Sequence, residues 1–481
     1  MEISKTTPME IYHVSAECFP VAKVGGLADV VGALPKYLTR LGHKVKVVIP
    51  GYETKFVAEH PYDEIFEGEL RLGIFHFTYT VVKEKTDLLG FELYQIRVPQ
   101  LFDRPNVYAY DDDTERFTAF QIAFLDWLTA TGARPDIIHC HDHHTGLIPF
   151  MMQQCYKYGQ YNRIPTVLTI HNAQYQGWFG FDKMHYLPEF NHVNGGYLEW
   201  NGTINPLASA IKCAWKVTTV SPTYLDEMAY SANGLENLLR YERIKSVGIL
   251  NGIDTEVWNP GTDILLASNF SAADFRTGKA ANKKALCAQF GFDESKPLFA
   301  FIGRLVYEKG AELLPEIARR VLTDFEGQAS VLILGSGDVE VENRLTAMQH
   351  FYKSDYNCYI GYNEQLAHLV YGGSDFLLMP SRVEPCGLNQ MYALRYGTVP
   401  IVRRTGGLRD TVTDMGDGGF GICHQQTTAE DVVAAIARAL SLFSRKADFD
   451  NIRETGMAID HSWDSTALEY TQLYQSLKQP L

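Results

Sequence analysis

The sequence predicts an α/β protein built of two doubly wound domains. Three observations carry that prediction. Apolar, β-rich runs alternate with amphipathic stretches along nearly the whole chain. The alternation falls into two separate series, with turn-forming residues between them. The length of 481 residues exceeds what one core usually serves. Two domains of about 200–250 residues are the natural division.

The first series opens with a strand over residues 10–18, a helix over 28–41 and a strand over 44–49, which is βαβ grammar and implies parallel pairing. Residues 69–98 depart from it. Leu70, Leu72 and Ile74 alternate in one phase, and Phe75, Phe77, Tyr79 and Val81 alternate in the other. That pattern predicts a hairpin region with a bulge near Ile74 and Phe75. A helix over 114–130 follows, with Phe117, Phe120, Phe124, Trp127 and Leu128 as a core stripe, then strands over 136–140, 166–170 and 216–220. Asn251-Gly252 and Asn259-Pro260-Gly261 mark a junction near residue 250. The second series has strands over 298–302, 330–334, 357–360, 376–379 and 399–402. The expected domains are therefore residues 1–250 and 251–460. A terminal helix within 461–481 would bury Leu468, Tyr470, Leu473 and Leu477.

Composition removes several function classes. A net charge of −14 argues against nucleic acid and anionic membranes as partners, since both are held by an excess of Lys and Arg. The eight cysteines form no C-x-x-C pair, so neither a thiolate zinc site nor a thioredoxin motif is indicated, and free thiols in a reducing cytoplasm are expected. Residues 1–8 are polar and lack the apolar stretch of a signal peptide. No apolar run approaches the ~20 residues needed to span a membrane.

The chemistry-bearing motifs sit at strand ends, where ligands of doubly wound folds bind. Lys23-Val24-Gly25-Gly26-Leu27-Ala28-Asp29 follows the first strand and opens a helix. Paired glycines let backbone N–H groups approach a phosphate, and Lys23 adds a charge. A plain tight turn explains the same residues, and both readings stand on the motif alone. It matches neither the G-x-G-x-x-G fingerprint of nicotinamide-dependent enzymes nor a P-loop. His139-Cys140-His141-Asp142-His143-His144 suggests a metal, but neighbours on a strand point to opposite faces, so one ion cannot collect them all. A polar lining of the cleft between two domains is the favoured reading. His171, Asn172, Gln174 and Gln176 offer donors and acceptors suited to sugar hydroxyls. Arg304 and Lys309, five residues apart around a helix start, can both address a diphosphate or can form a solvated basic pair. Pro380-Ser381-Arg382-Val383-Glu384-Pro385-Cys386-Gly387-Leu388-Asn389-Gln390 precedes a helix, and Val402-Arg403-Arg404-Thr405-Gly406-Gly407-Leu408 lies downstream. Glu384 can accept from sugar hydroxyls there, and the backbone of Gly387–Asn389 can take phosphate.

Together these motifs resemble bacterial glycogen synthase and plant starch synthase. They include the Lys23–Asp29 stretch, His141-Asp142, His171-Asn172 with Tyr175-Gln176-Gly177, Val220-Ser-Pro-Thr-Tyr224 and Asn251-Gly-Ile-Asp254. Arg304 with Lys309-Gly310 and the Glu384-Pro-Cys-Gly-Leu block complete the set, in register from about residue 10 onward. The resemblance implies the GT-B fold, two Rossmann-like domains facing across a deep cleft, with the C-terminal helix crossing back to the first. It implies metal-independent, retaining transfer of glucose from ADP-glucose to an α-1,4-glucan, without a cofactor. Lys23, Asp142, His171, Arg304, Lys309 and Glu384 would form the catalytic set. Glu17, Gly25, Gly26, Asn172, Tyr362, Cys386, Gly387, Leu388 and Asn389 would bind substrate, Tyr362 by stacking on adenine. Two positions depart from the family pattern, His143 where Trp is usual and Asn389 where Thr is common, while Tyr392, where many related glycosyltransferases carry a second Glu, favours the glycogen and starch synthase branch. The alternatives are another retaining glycosyltransferase of the same fold using UDP-glucose or a different acceptor, and a non-catalytic glucan- or nucleotide-binding protein.

Overall fold

A computed structural model describes residues 7–478; the outermost parts of the expected first domain and terminal helix, 1–6 and 479–481, lie outside the described residues. The chain separates into two compact units. One runs to Gly252 and takes in Trp463 onward; the other is Ile253–Ser462.

The first unit holds β1 (Glu10–Val14), β2 (Lys44–Pro50), β3 (Tyr62–Leu72), β4 (Phe75–Glu84), β5 (Glu92–Arg97), β6 (Ile137–His141) and β7 (Thr166–Ile170). It continues with β8 (Glu199–Trp200), β9 (Thr203–Ile204), β10 (Lys216–Thr219) and β11 (Ser246–Gly248). Nine of these form one sheet in the order β11-β10-β7-β6-β1-β2-β5-β4-β3, and β8 pairs only with β9. Pairing is parallel from β11 to β5 and antiparallel from β5 to β3. The central strands are covered on both faces, and every residue of β6 and β7 is buried. Parallel strands sheathed by helices have that character. Here, however, the buried run includes three histidines, His13, His139 and His141.

The change of phase near Ile74 is the hairpin turn itself, because β3 ends at Leu72, β4 starts at Phe75, and Leu72 pairs with Phe75. Gly73, with φ +61°, makes that turn, and the bulge lies instead between Glu64 and Phe66. A reversal of alternation marks either feature; the glycine at a left-handed position decides between them. The helical stripe Phe117, Phe120, Phe124, Trp127 and Leu128 is buried in Asp113–Thr131.

The terminal helix, Trp463–Lys478, packs Trp463, Ala467, Tyr470 and Tyr474 into one cluster with Ile11, Leu34, Leu38 and Ile137. Its buried side is set by these aromatic residues, while Leu468 is exposed. Tyr474 also reaches the sheet through its hydroxyl, 2.7 Å from His139 Nδ1.

The second unit is a six-stranded parallel sheet of β12 (Leu298–Ile302), β13 (Ser330–Gly335), β14 (Tyr356–Ile360), β15 (Phe376–Met379), β16 (Val399–Arg403) and β17 (Ile422–His424). β11 and β17, three residues each, escape a sequence reading because they are too short to show a period. The order is β14-β13-β12-β15-β16-β17, so the chain winds outward from β12 in one direction and then from β15 in the other. The crevice at such a reversal, beyond the carboxyl ends of β12 and β15, is where this architecture binds ligands. In the first unit the reversal lies at β1, flanked by β2 and β6.

Trp463 is 1% exposed. Trp463→Ala is expected to lower unfolding stability by about 3–5 kcal/mol, read from the urea midpoint of the full chain. An unchanged midpoint would show that this helix is not part of the core.

Candidate functional site

In the first unit, three expected groups follow three adjacent strands. Glu17, Lys23, Gly25 and Gly26 come after β1, Asp142 after β6, and His171 and Asn172 after β7. Glu17 is buried, and both its oxygens are taken by protein donors. The amides of Val24 and Gly25 donate to Oε2 at 2.6 and 2.9 Å, and the Tyr108 hydroxyl donates to Oε1 at 2.7 Å. Burial still pushes this carboxyl above the usual range, outweighing those bonds. Glu17 thus holds the loop that was expected to cradle a phosphate, and it occupies two of the loop's N–H groups. Lys23 pairs with Asp29 at 2.7 Å.

The two glycines of that loop have no conformational reason to be glycine. Gly25 has φ −144°, which any residue adopts. A Cβ built at Gly25 or Gly26 meets nothing within 4 Å. Gly32, by contrast, lies against the backbone of Phe19. The space before Gly25 and Gly26 is open, and the packing of the chain does not explain their lack of a side chain.

Asp142 is the strained residue of the site, with φ +55° and ψ −171°. That region belongs almost entirely to glycine and costs about 1–3 kcal/mol for other residues. Its Oδ1 accepts from the His171 amide at 2.7 Å, and the Asn172 amide also donates to the carboxylate. The strained turn therefore holds the start of the loop after β7. Burial raises the Asp142 carboxyl to about 7, against the lowering effect of those two amides.

In the second unit, Arg304 and Lys309 follow β12, and Glu384 follows β15, its neighbour. Lys309 Nζ donates to Glu384 Oε2 at 2.6 Å, and the Ser381 hydroxyl donates to the same oxygen at 3.1 Å. The two loops are stitched by backbone, since the Arg382 and Val383 amides both donate to Glu308 O. Arg382 also binds Glu312 and lies over the Tyr307 ring. Glycines make the approach possible. A side chain at Gly310, φ +68°, would run into Pro380 O; one at Gly406, φ +44°, into Glu384 O; and one at Gly407, into Cys386. The downstream glycine pair thus has a packing role, bringing the helix Gly406–Thr411 onto the Glu384 loop. Arg304 is exposed.

Other expected residues serve these loops or stand apart. Asn389 Nδ2 donates to Ile302 O at 2.8 Å, tying the helix Asn389–Arg395 to the end of β12. Leu388 is the residue before that helix, and Gly387 has φ +73°. Cys386 is buried and presents no thiol to solvent. Tyr362 follows β14, at the sheet edge and two strands from β12, with its ring exposed. Tyr392 is buried and stacks on Trp258 at 3.8 Å, so it occupies a core position. His143 contacts His144 at 3.7 Å and lies against Gly177. Sequence reasoning missed Tyr108, which no motif marks, whereas Ser381 lies within the Glu384 motif but carries no sequence signal of its bond to that carboxylate. It also missed His13, although alternation puts His139 and His141 on one face and His13 on the neighbouring strand.

His13, His139 and His141 have ring nitrogens within 4.8 Å of one another. They do not fit a metal. Five of their six ring nitrogens are engaged by protein partners, leaving only His13 Nε2. Among the described residues, no carboxylate or thiolate joins the cluster to offset the charge a buried ion would bring.

The raised Asp142 carboxyl has a testable sign. The folded state holds its proton up to about pH 7, while the unfolded chain loses it near 3.8. Between those values the folded state binds more protons, so this group's stabilising contribution is lost as pH rises. Asp142→Asn removes that dependence. Its stability relative to the parent is expected to rise from pH 4 to pH 8 in urea titrations, whereas a flat or falling difference would contradict the burial argument.

Comparison with known proteins identifies the frame these residues occupy. Residues 10–241 match the starch synthase catalytic domain, and residues 282–453 match the glycosyl transferases group 1 family. Glycogen synthase of Flavobacterium johnsoniae is 58% identical over 471 residues, covering 98% of this chain and all of that one. Glycogen synthase of Geobacillus stearothermophilus is 39% identical over 484 residues, covering 98% of each. The solved catalytic domain of starch synthase IV from Arabidopsis thaliana, bound to ADP and acarbose, matches with a TM-score of 0.90 and 32% identity over 98% of this chain and 99% of that one. The chain belongs to the glycogen synthase and starch synthase family of glycosyltransferases.

Proposed function

We propose that the protein transfers glucose from ADP-glucose to the non-reducing 4-hydroxyl of an α-1,4-glucan, with retention of configuration and release of ADP. The observation that carries this reading is the Lys309–Glu384 pair, 2.6 Å apart at the reversal of the second sheet, with exposed Arg304 on the preceding loop. It sets a cation for a leaving diphosphate beside a carboxylate for sugar hydroxyls. The named activity of the relatives, and the ADP and acarbose held by the starch synthase, support the choice of donor and acceptor.

In this reading Arg304 and Lys309 neutralise the charge that grows on the departing diphosphate. Cations aimed at the charge that develops on the leaving group act more strongly on the transition state than on the ground state. Glu384 accepts from donor glucose hydroxyls, and the backbone of Gly387, Leu388 and Asn389 meets the phosphates. Cys386 serves through its place in that loop. Gly25 and Gly26 leave open space for a phosphate at the start of their helix, and Lys23 lies on the same loop. Because Glu17 holds the Val24 and Gly25 amides, the start of the helix at Gly26 is what remains for an anion, and Glu17 acts through the loop. Asp142, His171 and Asn172 form the sugar-facing part of the first unit. Tyr362, exposed, stacks on adenine.

Chemically, the acceptor oxygen bonds to C1 of glucose on the face from which the diphosphate leaves. The C1–O bond to phosphate breaks, and the acceptor proton passes to the departing phosphate oxygen. No protein nucleophile is required, and the products are ADP and a glucan longer by one glucose.

Arg304→Ala and Lys309→Ala are each expected to reduce turnover by ~10²-fold or more; near-normal rates in both would remove their assigned roles. Gly25→Ala should weaken donor affinity without changing the unfolding midpoint, because the side chain it adds meets only open space. A destabilised variant would point to a plain structural turn. Turnover should persist in excess EDTA, and its loss would return a metal to the buried histidines. Measured side by side, ADP-glucose should be preferred over UDP-glucose, and the opposite preference would overturn the donor.

A further inference from the structure

Three histidines stand in file across the first sheet, along the strand order β1-β6-β7. His13 Nδ1 lies 3.0 Å from His141 Nε2, and His141 Nδ1 lies 3.0 Å from His171 Nε2. His13 and His141 are fully buried, and His171, just after β7, is half-buried. At the inner end, His13 Nε2 is buried with no hydrogen-bond partner among the described residues. His139 cannot serve it, because its two nitrogens are committed to Tyr474 and Thr169.

Burial holds His13 and His171 at about 3 and His141 well below its usual value, so all three rings are neutral near pH 7. A neutral imidazole has one N–H and one bare nitrogen. His141 therefore donates at one contact and accepts at the other, and the two bonds must run in the same direction. If they run inward, His13 is left with a buried N–H and nothing to receive it. If they run outward, His13 is left with only a bare lone pair, and His171 carries its proton on Nδ1. Orphaned buried N–H groups are the rarer and costlier defect.

We propose that His13 and His141 are positioning residues that hold His171 as the Nδ1–H tautomer, so that it offers a ligand hydroxyl a hydrogen-bond donor. This rests on the reading of His171 as a contact of the donor sugar. It assigns work to two residues, His13 and His141, that never touch the substrate.

Substitutions at His141 separate the two contacts. Asparagine reproduces the Nδ1 position facing His171, glutamine reproduces the Nε2 position facing His13, and leucine reproduces neither. With the full-length protein, kcat/KM for ADP-glucose should stay near the parent value in His141→Asn. It should fall about 10- to 100-fold in His141→Gln and His141→Leu. Long-range ¹H–¹⁵N spectra of histidine-labelled protein, with His171 assigned by the loss of its signals in His171→Ala, should show Nδ1 protonated in the parent and not in His141→Gln. A parent spectrum with His171 protonated at Nε2 overturns the proposal, even if the leucine variant fails to fold. Normal kcat/KM in His141→Gln and His141→Leu alongside a damaged His171→Ala overturns the relay but keeps the role of His171. A fully active His171→Ala removes that role, and the spectra still decide the tautomer.

Discussion

The ion pair between Lys309 and Glu384 is the interaction around which the second unit is arranged. Bringing an ammonium within 2.6 Å of a buried carboxylate requires two loops from neighbouring strands to run almost in contact. Backbone contacts at Gly310, Gly406 and Gly407 allow that, and the Glu308 carbonyl, accepting two amides of the opposite loop, fixes the register. Strand order supplies the rest, since β12 and β15 are adjacent only because the winding reverses between them. Without its cation, Glu384 would be a buried charge with Ser381 as its recorded side-chain donor, which is a costly state.

The first unit solves a different problem with neutral groups. Its central strands carry polar side chains where parallel sheets usually carry aliphatic ones, and burial keeps them uncharged. His139 bridges the terminal helix to the sheet through Tyr474 and Thr169. His13 and His141 lead toward His171, whose backbone is in turn gripped by Asp142 from a strained turn. Strain and desolvation thus meet at one place, the turn at Asp142.

Much of this was legible in the sequence, because doubly wound folds put functional residues just after strands and the strands themselves are strongly apolar. The loops at Lys23, Asp142, His171, Arg304 and Glu384 could be placed on that basis. The turn at Gly73 was misread as a bulge because a reversal of alternation accompanies both. The three-residue strands left no period to detect. Contacts between distant residues, such as Tyr108 with Glu17 or Asn389 with Ile302, carry no local signal at all. The glycine pair at 406–407 was visible, but its reason, a close approach to the backbone of Glu384 and Cys386, required coordinates. Tyr362 follows β14, at the edge of the second sheet and two strands from β12, a position that depends on strand order and not on local sequence.

The central claim is the transfer of one glucose to the end of a glucan. It is tested most directly by incubating the protein with glucose-labelled ADP-glucose and glycogen, then determining the linkage of the label. The account predicts labelled glucose at non-reducing ends in α-1,4 linkage, with one ADP released for each glucose transferred. Release of free glucose without transfer, a β linkage, or binding of both substrates with no label incorporated would contradict it.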